Sequence, residues 1–572
     1  MDIHKVLIKY WGHTNFRLKQ EVVIQEILNN KDTLALLPTG GGKSICYQIP
    51  GLIKEGVCLV ISPLISLMHD QIQHLQSKKI KSVCITGDMD HSEIERAINN
   101  CIYGKIKFLY LSPEKIQNDL IQKRIKEMNI NLITVDEAHC ISEWGHSFRP
   151  SYRHISIIRE LIPNAPILAL TATATYDVIK DIQKNLLFKK ENVITTSFKR
   201  DNLSYIVEHV ENKITRMIEI LNKIKSSTII YVGSRRKAKK ISDFLNKNRF
   251  SSSYYHAGLT PDIRTKRQKD WNENQTRIIV ATNSFGMGIN KTDVKLVIHM
   301  DPPSKIEYYF QQAGRAGRNG KKAYAILLTN KNDIIEQKRL LKLKYPKINE
   351  ILRFYQNLVN YTQIAAGEFP ENPIPFDIIK FNKRYNSNTL TTYYILKYLE
   401  KEDKIKILDN TYSVSKLKIN VSNSNLYKFQ ITNKSYDFFI KTLLRSYPNP
   451  FNDYIKINEE KLAMRFNSSI NDVKNILNKL QQLEIIEYQE KNQFNQLKFL
   501  QPREDVKNIN LDINSWKERR DYEQSKLTDF FNYINKKDLC RSQFLLEYFN
   551  EKNSEKCNIC DICTNNNKNE IF

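Results

Sequence analysis

A short apolar run, Thr33-Leu34-Ala35-Leu36-Leu37, passes without a gap into Pro38-Thr39-Gly40-Gly41-Gly42-Lys43-Ser44 and then into the helical continuation Ile45-Cys46-Tyr47-Gln48. Three successive glycines let backbone N–H groups turn inward around an anion, and the N-terminus of the following helix adds positive potential. In such a loop the lysine, here Lys43, reaches the β- and γ-phosphates of a nucleoside triphosphate, and the hydroxyl of Ser44 ligates Mg²⁺. The strict phosphate-loop pattern has a further glycine where this chain has Leu37, and the glycine triplet compensates. Thr39, Gly40, Gly41, Gly42, Lys43 and Ser44 are the expected ATP contacts.

A strand that ends in such a loop belongs to a parallel sheet covered on both faces, and the chain continues in that style. Apolar runs at 57–61, 82–85, 108–111, 132–135 and 167–170 alternate with helical patterns, which predicts an α/β domain. The alternation restarts with runs at 228–232, 277–280, 294–298 and 323–328, giving two similar α/β domains in tandem. A chain of 572 residues is expected to hold three to five domains. The divisions expected are residues 1–205, 206–345, 346–510 and 511–572.

Two further clusters suit phosphoryl transfer. The buried run at 131–135 leads straight into Asp136-Glu137-Ala138-His139, where Asp136 holds the Mg²⁺ shell and Glu137 orients and deprotonates the attacking water. In the second domain, Gln311-Gln312-Ala313-Gly314-Arg315-Ala316-Gly317-Arg318 supplies two guanidinium groups for the γ-phosphate, with Gln311 beside them. Because loop and arginines lie on different domains, ATP would bridge the two and act as a hinge clamp. After the acidic pair comes Ser142-Glu143-Trp144-Gly145-His146-Ser147-Phe148-Arg149. Trp144 and Phe148 offer π faces to bases, while His146 and Arg149 can meet a phosphate backbone or adjacent catalytic groups.

Together with Phe16-Arg17-Leu18-Lys19-Gln20, Ser62-Pro63-Leu64-Ile65-Ser66-Leu67-Met68, Thr171-Ala172-Thr173, Tyr255-His256-Ala257-Gly258-Leu259 and the segment 281–291, this set resembles a superfamily 2 DExH helicase of the RecQ family over roughly residues 5 to 345. The resemblance implies two RecA-like motor domains, adenine contacts from Arg17 and Gln20, and an aromatic-rich loop around Trp144 that senses single-stranded DNA. It also implies 3′ to 5′ movement, and a role in repair and recombination on single-stranded and branched DNA. The family's adenine-stacking aromatic is replaced here by His13.

Past residue 340 the βα alternation stops. A proline-rich stretch at 365–376 reads as a linker, and 457–500 reads as helix, turn, helix and two-stranded wing, the order of a winged helix, with 377–415 a similar, less clear unit. A small packing domain without a nucleic-acid role is the alternative. Nine cysteines divide into five scattered among apolar neighbours and four, Cys540, Cys557, Cys560 and Cys563, spaced C-x16-C-x2-C-x2-C. Two-residue gaps let one turn present thiolates to a tetrahedral Zn²⁺. This segment also resembles the RecQ zinc-binding region, although some 170 residues separate it from the motor where the family plan has it follow closely.

Lys plus Arg at 88 exceed Asp plus Glu at 62, a net +26, which suits a polyanionic partner, although richness in Lys, Asn and Ile could equally reflect the base composition of the gene. No apolar run approaches the roughly 18 residues a membrane span needs, and the N-terminus lacks a secretory pattern, so a monomer in the cytosol, at the nucleoid if the source is bacterial, is expected. The leading expectation is an ATP-dependent DNA helicase using ATP, Mg²⁺ and Zn²⁺. The competing ones are an RNA helicase and an ATP-switched DNA-binding or remodelling factor without processive unwinding.

Overall fold

The computed structural model describes the chain apart from residues 1, 39, 87–88, 90, 146–147, 287–290, 409–414, 448–449, 452–453, 490–494 and 565–572. It forms two compact units, one of Met1–Gln337 with Tyr522–Phe572 and one of Lys338–Asp521.

The first unit contains two parallel sheets. Strands β1 (Thr33–Leu36), β2 (Val57–Ile61), β3 (Ser82–Ile85), β4 (Phe108–Leu111), β5 (Ile130–Val135), β6 (Ile167–Thr171) and β7 (Val193–Thr195) are ordered β3-β4-β2-β5-β6-β1-β7. Every residue of β1, β2, β4 and β6 is buried, because helices cover both faces and leave no polar side to the alternation. Strands β8 (Leu203–His209), β9 (Ser227–Tyr231), β10 (Ser252–Tyr255), β11 (Ile278–Ala281), β12 (Val294–His299) and β13 (Ala323–Thr329) form the second sheet, ordered β10-β11-β9-β12-β13-β8. Strand β8 straddles the boundary expected at 205/206 and lies wholly in the second sheet, paired with β13 from Leu203 to His209. Fully buried Leu132, Leu168 and Leu170 in one core and Ile230, Val280 and Ile298 in the other each contribute roughly 1.5–3 kcal/mol of burial. The central strands β1 and β5 lie on either side of β6, so the phosphate loop after β1 and the acidic pair after β5 open on the same sheet edge, at the strands' C-terminal ends.

The second unit corrects the expected wing. The helices Glu459–Phe466 and Ile470–Gln482 form as anticipated, joined by a left-handed Asn467 and a Ser469–Asp472 capping box. The strands after them do not pair with each other. Strand β18 (Ile486–Gln489) pairs antiparallel with β16 (Lys416–Ile419), next to β17 (Ile455–Lys456). Strand β19 (Asn495–Phe499) lies between β14 (Ile374–Phe376), the end of the proline-rich stretch, and β15 (Ile405–Leu408). The reason is burial: Ile486 and Tyr488 face the core of Leu417, Phe439 and Leu477, whereas Leu497 and Phe499 face that of Phe354, Phe381 and Leu399. The winged-helix order of strand, two helices (Ile378–Tyr385 and Thr389–Lys401) and two paired strands is thus completed by β14, β15 and β19. A second module, 416–489, which holds the two expected helices and the sheet β17-β16-β18, is inserted between strands β15 and β19.

Candidate nucleotide, nucleic-acid and metal sites

The phosphate loop is shaped by its glycines. Gly40 and Gly42 have φ of +83° and +72°, a region that Cβ-bearing residues avoid. Gln20, at the start of the helix Gln20–Leu28 and almost fully buried, donates from Nε2 to the carbonyls of Gly41 and Gly42, both at 3.0 Å, while its Oε1 accepts the Arg17 N–H at 2.8 Å. Its amide therefore fixes the loop's outer backbone, a bond the sequence reading, which assigned Gln20 to adenine, did not include. Arg17 and His13 are exposed. Thr39 and His146 lie outside the described residues.

At the end of β5, Glu137 adopts a left-handed backbone with φ +48°. Strain of this kind in a non-glycine residue costs about 1–3 kcal/mol and gathers at functional sites. The turn is stabilised by the Glu137 N–H donating to Asp136 Oδ1 at 2.9 Å and by the Tyr152 hydroxyl donating to the Asp136 carbonyl at 2.9 Å. Burial and the neighbouring Glu137 carboxylate push the Asp136 pKa up, while the Lys43 ammonium pulls it back. His139 is fully buried, its pKa pushed down to about 3 by burial and then by Lys43 and Arg149, so the ring is neutral. Its Nδ1 lies 2.9 Å from Thr171 Oγ1 and 3.4 Å from Glu137 Oε2, and the Thr171 hydroxyl donates to the Thr173 carbonyl at 3.2 Å. With the Thr171 proton committed, Nδ1 carries the imidazole N–H. The ring thereby ties the acidic turn to the Thr171-Ala172-Thr173 segment at the end of β6.

The arginines of the second sheet reach this site. A Cβ placed on Gly40 would sit 3.4 Å from Arg318 Cγ, so the glycine cradle is contacted directly by the second lobe. Arg315 is buried, bonded to the Tyr231 hydroxyl, with its Nε lacking a hydrogen-bond partner among the described residues. Burial and then the charges of Arg315 and Arg200 hold the Arg318 pKa down to about 9. Clustered guanidinium groups of this kind are a receptacle for an anion, and the donors, with Lys43 and Ser44 opposite, fit a polyphosphate. The Asp136 carboxylate and the Ser44 hydroxyl are oxygen donors of the kind Mg²⁺ takes. Gln311 is buried, and Gln312 bridges His299 Nε2 at 2.8 Å and Asn283 Oδ1 at 3.1 Å. Tyr231, Arg200 and Gln312 were missed by sequence reasoning because each contributes through a contact far away in the chain.

In the aromatic-rich loop, Trp144 and Phe148 are half-buried. Trp144 packs edge-to-face on Tyr522 with centroids 5.1 Å apart, and the Arg153 guanidinium lies 5.3 Å over Phe148. Arg149 donates to the Pro63 carbonyl at 2.7 Å, a bond that anchors the loop to the segment after β2.

The four terminal thiols converge. Cys540 lies 3.4 Å from Cys557 and 3.8 Å from Cys560, and Cys557 lies 4.0 Å from Cys563, all four sulfurs falling within 4.8 Å of one another. Tetrahedral Zn–S bonds of about 2.3 Å require sulfurs about 3.8 Å apart, so the donor set and its spacing fit Zn²⁺. N–H groups of Cys557 and Cys563 point at Cys540 and Cys560 Sγ, at 3.3 and 3.4 Å, stabilising thiolate. The knuckle sits on β8, the edge of the second sheet: the Asp561 N–H donates to the Tyr205 carbonyl, and Asp561 Oδ2 accepts the Val207 N–H, both at 3.4 Å.

Residues 17–182 match the DEAD/DEAH box helicase family, 212–320 the helicase conserved C-terminal domain, 417–490 the RecQ helicase winged-helix domain of Bacteroidota, and 478–564 the RecQ zinc-binding family. An ATP-dependent DNA helicase RecQ of Bacillus subtilis is 40% identical over 59% of this chain and 58% of its own length; the chain thus spans little more than half of that relative. A protein of Acanthamoeba polyphaga mimivirus that carries the name of an RNA helicase is 37% identical over 78% of each chain. The "Probable ATP-dependent DNA helicase RecS" of Bacillus subtilis is 37% identical over 61% of this chain and 71% of its own length. With motor, winged-helix and zinc regions all matched, the chain belongs to the RecQ family of helicases.

Proposed function

We propose that the chain is an ATP-dependent DNA helicase that moves 3′ to 5′ along single-stranded DNA and opens duplex or branched DNA in repair and recombination. The observation that carries this reading is the contact of Arg318 with the Gly40 cradle, which supports one triphosphate held between two lobes. Lys43 and the loop N–H groups hold the phosphates, with Arg17 and Gln20 at the adenine. A Mg²⁺ ion held by Ser44 and Asp136 would neutralise charge developing between the β- and γ-phosphates. Glu137 orients and deprotonates the attacking water, while Arg315 and Arg318, with Gln311 beside them, stabilise the charge developing on the γ-phosphate. Hydrolysis removes the anion that draws the guanidinium groups toward the loop, so the lobes part. Trp144 and Phe148, with His146 and Arg149, meet the DNA strand. The four cysteines hold a structural Zn²⁺. The proposed division into two motor domains (1–205 and 206–345), a winged-helix region (346–510) and a zinc region (511–572) serves this cycle, by a monomer acting at the nucleoid or in the cytosol. Among the described residues no helix is long and apolar enough to cross a membrane.

DNA is favoured over RNA by two of the three relatives described, both named as DNA helicases. Strand displacement on a forked duplex with a 3′ single-stranded tail, matched with the same fork in RNA, tests the reading. Release of the DNA strand by the intact chain, abolished by Lys43→Ala with salt-sensitive binding retained, is expected. ATP turnover without strand release would favour the switched binding factor, and release of RNA alone the RNA helicase.

A further inference from the structure

We propose that Tyr522 is a positioning residue that couples the aromatic-rich loop to the arginine-bearing helix, so that occupation of Trp144 is felt at Arg315 and Arg318. The inference rests on the reading of Trp144 as a nucleic-acid contact.

The loop is stiff on its catalytic side. The Cys140 N–H donates to the Glu137 carbonyl at 2.9 Å, the Trp144 N–H to Ser142 Oγ at 3.2 Å and the Gly145 N–H to the Ser142 carbonyl at 3.0 Å. A Cβ at Gly145 would lie 2.2 Å from the His139 carbonyl, so the backbone is folded hard onto the catalytic turn. A displacement of Trp144 is therefore transmitted to Glu137 and His139.

On its other side, Trp144 is held among the described residues by Tyr522. Besides the ring contact, the Tyr522 hydroxyl donates to the Trp144 carbonyl. The Tyr522 ring is flanked by two ammonium groups, Lys305 at 5.4 Å and Lys526 at 5.2 Å from its centroid. Both are held in buried ion pairs, Lys305 with Glu523 at 3.0 Å and Lys526 with Glu307 at 3.2 Å, and the Tyr548 hydroxyl donates to Glu307 Oε1 at 2.8 Å. Lys305 and Glu307 flank the N-terminus of the helix Ile306–Ala313, which carries Gln311 and Gln312 and runs directly into Gly314, Arg315 and Arg318. Tyr522 thus touches the loop that leaves the acidic turn and, through Lys305, the start of the helix that delivers the arginines. Because it grips a backbone carbonyl of the loop, its bond must lengthen or break whenever Trp144 moves.

The test compares full-length Tyr522→Phe, which loses only the hydroxyl, Tyr522→Leu, which loses the ring, and Trp144→Ala. ATP turnover is measured with and without oligo-dT, alongside thermal unfolding and zinc content. The ratio of DNA-stimulated to unstimulated turnover is expected to fall about threefold to tenfold in Tyr522→Phe, the range one hydrogen bond supplies. The change should lie in kcat rather than in KM for ATP, with Tm and zinc as in the parent. A wild-type ratio in both Tyr522 variants, while Trp144→Ala loses stimulation, overturns the coupling and leaves the reading of Trp144 intact. Full stimulation in Trp144→Ala overturns that reading and the coupling with it.

Discussion

Gly42→Ala probes the phosphate loop through a contact whose size can be worked out. With φ +72°, an alanine there sits in left-handed backbone at a cost of about 1–2 kcal/mol. Its Cβ would lie 2.5 Å from Gln20 Nε2, so the amide must leave and both of its bonds to the loop carbonyls are lost. At about 1 kcal/mol each these add about 2 kcal/mol, for a total of about 3–4. In kcat/KM for ATP this is a loss of about 10²- to 10³-fold. Gln20→Ala alone removes the same two bonds without the strain and should cost about 30-fold. In the double variant no amide remains to collide, so only the strain is added and the loss should equal that of Gly42→Ala. The coupling free energy is then about 2 kcal/mol. Steady-state ATP hydrolysis with saturating single-stranded DNA, on variants checked by circular dichroism, measures all three. Simple additivity, with the double variant losing the product of the two single factors, would refute the argument that Gly42 makes room for Gln20.

Arg318→Ala should lower ATP turnover by about 10³-fold or more, and a loss under tenfold would remove this side chain from the phosphate chemistry. Cys560→Ser should leave the purified protein with less zinc by elemental analysis and a lower Tm; unchanged metal content would exclude the ligand. Acid should destabilise the fold through its buried neutral imidazoles. His139 and His299 are held at about 3 and about 4 in the folded chain, chiefly by burial, against about 6.5 unfolded. Between these values the unfolded state binds more protons, so unfolding free energy falls as pH drops below about 6.5. At pH 5 each contributes a loss of about 2 kcal/mol. Denaturant titrations at pH 7 and pH 5 should show His299→Gln losing less stability on acidification than the parent, and an equal loss would remove His299 from the account.

Much of the motor could be read in advance because its determinants are local. The run Thr33–Leu37 and the run before Asp136 announce buried strands, and glycines next to Lys43 and acids next to Val135 announce what those strands carry. Strand β10 (Ser252-Ser253-Tyr254-Tyr255) was missed because it is only half-buried and starts with serines, while β8 was missed because it was taken for a domain boundary. The wing failed for a different reason. Ile485–Tyr488 and Phe494–Leu500 look like a hairpin in sequence, yet strand pairing is decided by which core each buried face can reach, and the partner strands lie 67 to 94 positions upstream. The cradle's ties to Gln20 and the grip of Tyr522 on Trp144 likewise join residues 21 and 378 positions apart.

The displaced zinc region follows from the same distinction between sequence and space. The chain leaves the first unit after Gln337 and returns to it at Tyr522, and the cysteine knuckle then docks on β8, in the motor's second sheet. Lengthening a loop costs only about 0.6 kcal/mol per doubling, and an insertion that folds on its own core, as Lys338–Asp521 does around Phe354, Phe381, Leu417 and Phe439, orders its residues without drawing on the motor's contacts. By contrast, β8 is an edge strand, and an uncovered edge invites pairing with other chains. The contacts of Asp561 with Tyr205 and Val207 close that edge, and the adjacent buried Arg541–Asp561 pair at 3.1 Å fixes the knuckle in register. The inserted 416–489 module lies between β15 and β19, and because Leu408 of one strand pairs with Gln496 of the other, the chain leaves and re-enters that small fold at neighbouring points, where an insertion is tolerated.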